Sequence, residues 1–283
     1  MPELPEVESV RRGLATAVTG RTIMRTQVLH PRPVRSHATG PDGFAGDTTG
    51  RAFAEPRRRG KYLWFAFDDG DAMLAHLGMS GQFRINHTGD ELLRNTRVLF
   101  DLSDGTQLRF VDQRMFGGLS ISPGGAVLPS EVAHIAPDPF EDDYNPARVA
   151  ARIRRSQSGI KRLLLNQTVV SGYGNIYADE TLWRARLHYD VPGARLSRAR
   201  ALEVLQHGHD VMGEALEVGG TSFDDLYVHV NGESGYFARE LRAYGREDLP
   251  CARCGEAMVR EAFMNRSSFR CPRCQPRPRA RKA

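Results

Sequence analysis

No apolar run in the 283 residues approaches the roughly 20 that a membrane-spanning helix needs. No charged-then-apolar leader opens the chain. Both absences predict a protein of the cytosol, in a bacterium of the cytosol or nucleoid, with no membrane partner. Cysteine is missing from the first 250 residues, so no disulfide framework holds that part. A dinucleotide fingerprint is missing too: Gly-x-Gly at 172–174 lacks a third glycine and a preceding βαβ context. No segment repeats, and aromatic residues make up only 8% of the chain, with no dense stacking run of the kind a general single-strand binder uses.

What is present begins with the charge. The chain nets +5, but nine positive and two negative residues lie between Cys251 and Ala283, leaving the preceding 250 slightly acidic. A basic end on a near-neutral body is the footprint of a polyanion binder. A solvated basic tail would explain Arg277 to Lys282 but not the arginines between the cysteines. All four cysteines lie here, as Cys251-x2-Cys254 and Cys271-x2-Cys274 separated by sixteen residues. Two such knuckles predict one tetrahedral, structural zinc, with no position left open for catalysis. Disulfides are the competing reading. The intervening residues suit a β-hairpin that turns near Met264-Asn265-Arg266-Ser267.

Periodicity divides the rest. Residues 1–14 predict a short amphipathic helix, with Val7, Val10 and Leu14 on one face and Gly13 as its stop. From about Thr22 to Ser122 the pattern is β-like, with runs such as Tyr62–Phe67, Ala72–Leu77, Val98–Leu102 and Gln107–Val111 between turn signals. Short strands with close turns predict a sandwich or barrel. After a Pro- and Asp-rich linker, Asn145-Pro146 reads as an N-cap and first helical proline. Helical spacing follows over 147–156, 160–166, 177–185 and 197–218. The expected fold class is α+β multidomain. It comprises an N-terminal β-sandwich with a leading helix (1–135), a helical domain (136–248) and a zinc finger with a basic tail (249–283).

The first residues carry chemistry of their own. If Met1 is removed, as a small second residue favours, Pro2 becomes a terminal secondary amine. Such an amine has a pKa of roughly 7.7–8.0, so a useful fraction is nucleophilic near neutral pH. Condensed with an aldehyde carbon it gives a cationic iminium, a strong electron sink. Equally, a second-position proline is common, and Pro5 reads as the first residue of a helix whose dipole Glu6 and Glu8 complement.

Seven segments then occur in order: Met1-Pro-Glu-Leu-Pro-Glu-Val-Glu, Arg58-Arg-Gly-Lys-Tyr, His76-Leu-Gly-Met-Ser-Gly, Asp112-Gln-Arg-Met-Phe-Gly, Gly172-Tyr-Gly-Asn-Ile-Tyr-Ala-Asp-Glu, Gly235-Tyr-Phe and the four-cysteine finger. Together they resemble the formamidopyrimidine-DNA glycosylase branch of the Fpg/Nei base-excision-repair family, over essentially the whole chain. The resemblance implies a helix–two-turn–helix domain and a bifunctional glycosylase and abasic-site lyase. Its partner would be duplex DNA holding an oxidised purine such as 8-oxoguanine or a formamidopyrimidine; a monomer is expected. It implies Pro2 as nucleophile and Glu3 as acid/base. Lys61 would donate a proton in β-elimination, and Arg266 would bind phosphate and act in δ-elimination. Glu6 matches a second family carboxylate, with helix-dipole complementation as the alternative. Lys161 and Asn175 match phosphate contacts. Met79, Arg114 and Phe116 match three residues that fill the gap left by a flipped base; Met79 and Phe116 read from pattern alone would be core. Residues 222–244 correspond to a lesion-capping loop. The rivals are a Nei-type glycosylase for oxidised pyrimidines and a non-catalytic damaged-DNA-binding zinc protein. The intact Pro2, Glu3 and Lys61 speak against the second.

Overall fold

The computed structural model describes residues 2–219 and 240–278. They form two compact units, residues 2–134 with 218–219, and residues 135–217 with 240–278. The expected capping loop lies largely outside the described residues. Among those residues no helix is long and apolar enough to cross a membrane.

The first unit is a two-layer antiparallel sandwich. One sheet has the order β1-β6-β7-β5, from Ile23–Val28, Thr96–Leu102, Thr106–Asp112 and Gly81–His87. The other has the order β2-β3-β4-β8, from Phe53–Arg59, Tyr62–Phe67, Ala72–His76 and Gly118–Ser122. Phenylalanines join the two inner faces: Phe53 meets Phe65 at 5.0 Å, Phe65 meets Phe83 at 5.3 Å, and Phe83 meets Phe110 at 5.2 Å between ring centroids. Such offset and edge contacts suit ring quadrupoles.

Helix α1, Leu4–Val18, lays Val7, Val10, Leu14 and Val18 into that same core. The helix therefore outlasts the stop expected at Gly13. A glycine inside a helix costs only about 1 kcal/mol, and burial of Val18 one turn beyond Leu14 outweighs it. The chain turns instead at Gly20, at φ +76°. Helix α2, Gly40–Thr48, is a second departure from the β-like reading. Its glycines hide any apolar stripe. It is held by fully buried Phe44 and by Thr48, whose hydroxyl is 2.8 Å from that of Thr26.

The second unit contains α3 (Pro146–Arg154), α4 (Ile160–Leu165), α5 (Asn175–Arg184) and α6 (Arg198–Glu217). It closes with a hairpin of β9 (Val259–Phe263) and β10 (Arg266–Arg270). Asn145 caps α3 by accepting from the Arg148 N–H at 3.0 Å, as its sequence signature requires. Gln167 fixes the turns between α4 and α5: its amide donates to Leu165 and Tyr173 carbonyls at 2.9 and 3.0 Å and accepts from Gly172 N–H at 3.0 Å.

Candidate active site and nucleic-acid interface

In the first unit, Pro2 and Glu3 are buried immediately ahead of α1. Glu3 is the N-cap, and its backbone N–H donates to the Glu6 carboxylate at 2.8 Å, the return half of a capping box. Glu6 thus holds the backbone that presents Glu3 and Pro2. The positive end of the helix dipole faces the chain start.

The helix is anchored by ions. Glu8 accepts from Arg11 at 3.0 Å and from the enclosed Arg58 of β2 at 3.0 Å. Burial pushes the Glu8 carboxyl up, but Arg11 and Arg58 outweigh it and bring the pKa down to about 2. A depressed carboxyl stabilises the fold fully above its unfolded pKa of roughly 4.3. That contribution is lost as pH falls toward 2. Thermal melts from pH 6 to pH 3 should therefore fall more steeply for the natural chain than for Glu8→Gln.

Lys61 lies in the two-residue turn between β2 and β3, after Gly60 at φ +56°. It is only 9% exposed, an unusual place for a turn lysine. His76, at the end of β4, pairs with Tyr62 in register and lies against its ring at 4.8 Å. Burial, then the Lys61 and Arg35 cations, push the His76 pKa down. Its Nδ1 accepts from Gly78 N–H at 3.2 Å, which puts the proton of the neutral ring on Nε2. His76 is a neutral donor beside Lys61 that the sequence reading did not single out.

Met79 and the pair Arg114 and Phe116 sit on the 77–80 and 113–117 loops. Phe116 is 51% exposed with the Arg114 guanidinium 5.5 Å from its ring, so it is no core residue. Met79 is half-buried.

In the second unit, Asn175 begins α5, and Gly174 before it is an extended N-cap. The Asn175 amide donates to Ser267 C=O at 2.9 Å. Its Oδ1 is buried without a hydrogen-bond partner. Lys161 is fully enclosed. Its Nζ lies 2.7 Å from Asp179 and 3.2 Å from the same Ser267 carbonyl, and 4.9 Å from the Phe263 ring centroid. In this arrangement the ammonium has no surface to offer a phosphate; it supports the hairpin that Asn175 also grips. Asp179 completes the join by accepting from Ser268 Oγ at 2.9 Å and Phe269 N–H at 3.0 Å. Its neighbour Glu180 accepts from the N–H groups of Arg242, Ala243 and Tyr244 at 2.7–3.1 Å. Lys161→Met would strand a buried carboxylate and should cost about 3–5 kcal/mol, read as a lower urea midpoint at unchanged slope.

Arg266 is the first residue of β10, just past a two-residue turn of Met264 and Asn265. It is exposed, and among the described residues it has no partner. Other arginines of the basic segment are committed: Arg270 and Arg277 pair with Glu261 at 2.7 Å, and Arg253 lies 4.1 Å from the Trp183 ring centroid.

The four cysteine Sγ atoms lie within 4.8 Å of one another and are all free. A zinc tetrahedron with bonds of about 2.3 Å needs sulfurs about 3.8 Å apart. Cys254 Sγ is 3.5 Å from both Cys271 and Cys274 Sγ, so the set fits one structural zinc. The Trp183 indole N–H points at Cys251 Sγ at 3.4 Å. Burial raises the Cys251 pKa, but Trp183 and backbone N–H groups outweigh it and lower it to about 6, while burial pushes Cys271 up to about 12 and Cys274 upward. Cys251 thus ionises ahead of those two, and a bound metal would be what holds them as thiolates.

A sandwich preceded by the buried Pro2, a helical unit with two turns between α4 and α5, and a four-cysteine hairpin are the parts that the resemblance calls for. Family models match in the same order: the formamidopyrimidine-DNA glycosylase N-terminal domain over residues 1–119, its H2TH domain over 135–226, and the zinc finger found in FPG and IleRS over 248–277. A formamidopyrimidine-DNA glycosylase of Nocardioides is 58% identical over 100% of this chain and 97% of that protein. One of Salinispora tropica is 59% identical, covering 99% and 98%. The Lactococcus lactis Fpg bound to abasic-site DNA superposes with TM-score 0.85 at 29% identity, covering 97% of this chain and all of that one. A MutM in complex with carbocyclic 8-oxo-G DNA gives 0.85 at 30%, covering 98% and 100%. The chain belongs to the formamidopyrimidine-DNA glycosylase family.

Proposed function

We propose that this chain is a bifunctional DNA glycosylase and abasic-site lyase of base-excision repair, acting on oxidised purines in duplex DNA. The observation that carries the reading is Pro2, buried beside Glu3 at the positive end of α1, in a chain 58% identical over its whole length to a formamidopyrimidine-DNA glycosylase.

After loss of Met1, the Pro2 nitrogen attacks C1′ of the damaged nucleotide. The glycosidic bond breaks, and the base leaves with a proton. Glu3 serves as the acid that opens the sugar at O4′. The iminium acidifies the C2′ protons; loss of one expels the 3′-phosphate, and a second elimination expels the 5′-phosphate. Lys61 supplies a proton in the first elimination. Arg266, exposed and without a partner among the described residues, grips phosphate and serves the second. Asn175 binds phosphate at the start of α5, with Lys161 supporting it through Ser267. Met79, Arg114 and Phe116 fill the vacated stack. Zinc supplies no step; it holds the hairpin that carries Arg266. The division at about 135 and 248 and a place in the bacterial cytosol or nucleoid belong to the same reading.

Borohydride trapping tests it. The protein should form a covalent adduct with a duplex holding 8-oxoguanine opposite cytosine. An adduct mainly on a dihydrothymine duplex would reassign it to oxidised pyrimidines. No adduct on either, from zinc-loaded protein lacking Met1 that still binds DNA, would leave a non-catalytic binder.

A further inference from the structure

The register of the two sheets brings two loops side by side. Gly81 of β5 faces Asp112 of β7, and His76 of β4 faces Gly118 of β8. The 77–80 loop therefore leaves one sheet for the other next to the place where the 113–117 loop crosses back. Two hydrogen bonds through Ser80 join them, and a third, within the 112–117 segment, closes the loop onto Asp112. Ser80 Oγ donates to Asp112 Oδ1 at 2.5 Å. Ser80 Oγ in turn accepts from Arg114 N–H at 2.8 Å. Asp112 Oδ2 accepts from Gly117 N–H at 2.8 Å. Ser80 is 2% exposed and Asp112 0%.

The fit leaves little room for another arrangement. A Cβ on Gly78, which sits at φ +63°, would lie 2.6 Å from Gly117 N and Phe116 C. One on Gly117 would lie 2.7 Å from the Phe110 ring. Arg35 adds an outer tie by donating to Gly117 C=O at 2.8 Å. Met115 is held at φ +56°, a left-handed conformation that non-glycine residues rarely take unless their surroundings impose it. On either side of it Arg114 and Phe116 project outward, both exposed.

We infer that Ser80 and Asp112 are positioning residues for base extrusion: a buried clasp that holds Met79, Arg114 and Phe116 as one preset wedge. The inference rests on the glycosylase reading and adds to it the residues that order the wedge before DNA arrives. A wedge on two independent loops would have to be ordered on binding; the clasp pays that ordering cost during folding. Neither residue need touch DNA. Both motifs, His76-Leu-Gly-Met-Ser-Gly and Asp112-Gln-Arg-Met-Phe-Gly, thereby acquire a reason for their polar members.

The wedge matters only when a base must leave a stack. An abasic site in a single strand has no base to extrude and no stack to fill, so its cleavage reports the Schiff-base chemistry alone. The zinc-loaded full chain, Ser80→Ala and Asp112→Asn would be compared on two substrates. These are a duplex with 8-oxoguanine opposite cytosine and a single strand with an abasic site, both under single turnover. Ser80→Ala removes the donor to Asp112 and the acceptor for Arg114. It should slow duplex excision by about 10- to 100-fold and leave single-strand cleavage within about twofold. Asp112→Asn keeps the shape and can still link Ser80 to Gly117 through its amide, so it should retain more duplex activity than Ser80→Ala. Equal losses on both substrates would mean the pair merely stabilises the sandwich and would overturn the inference, as would unchanged duplex excision in Ser80→Ala. If the unaltered chain cleaved neither substrate, the glycosylase reading would fall first, and this inference with it.

Discussion

Pro2→Gly should lose 8-oxoguanine excision by at least about 10²-fold and give little borohydride adduct, while binding lesion DNA nearly as tightly as the unaltered chain. Glycine is a stringent choice. It is small, so Met1 is still removed, and it leaves a primary amine at the same position. What it loses is the ring. The iminium formed by proline has no N–H to shed and stays cationic, whereas the glycine adduct can relax to a neutral imine, a poorer electron sink. Glycine also frees a backbone angle that proline fixes, so the amine is less well held ahead of the α1 capping box formed by Glu3 and Glu6. Binding should survive because the exposed Arg266 and half-buried Asn175 lie on other elements. A variant that cut as fast as the unaltered chain would refute the terminal-amine mechanism.

Cys254→Ser should lose zinc and DNA binding together. A structural zinc contributes on the order of 10–16 kcal/mol to small finger-like folds, and a serine hydroxyl is a poor replacement for thiolate. Cys254 is central to the cluster, 3.5 Å from two of the other sulfurs. The hairpin that carries Arg266 runs straight into Cys271. Metal content should fall from one zinc per chain toward zero, and affinity for a lesion duplex should fall by about 10²-fold or more. Normal DNA binding by the variant would remove the finger from the interface.

The sequence made the repeating parts of this fold readable. Tyr62–Phe67 and Ala72–His76 follow alternation and turn signals, and Asn145 caps α3 where an Asn-Pro pair announces it. Local pattern failed where distant packing decides. Val18 extends α1 past Gly13 because a buried site awaits it, and α2 has no stripe for periodicity to detect. The site divides the same way. The cysteines announce a metal site by their spacing and Pro2 a candidate terminal amine by its position, whereas the roles of Glu3 and Lys61 come only from the family resemblance. Asp179 and Glu180 do not announce theirs, since their partners lie at Ser268, Phe269 and 242–244, some 60 to 90 residues further along the chain. A usable signal existed: two acids in a helix otherwise lined by Tyr177, Ala178, Leu182 and Trp183. Acids on an apolar helix demand buried partners. Phe116 shows the reverse, an aromatic that pattern assigns to the core and the loop places in the open.

Within the second unit, α5 meets the finger at both of its ends. Near its start Asn175 and Asp179 hold Ser267, Ser268 and Phe269; near its end Trp183 donates to Cys251. The turn at Asn175, to which the proposed function gives phosphate, and the thiolate cluster thus share one helix. On that proposal, coupling between the two would be reciprocal: whatever the metal contributes to ordering Asn175, bound DNA would return as tighter retention of zinc.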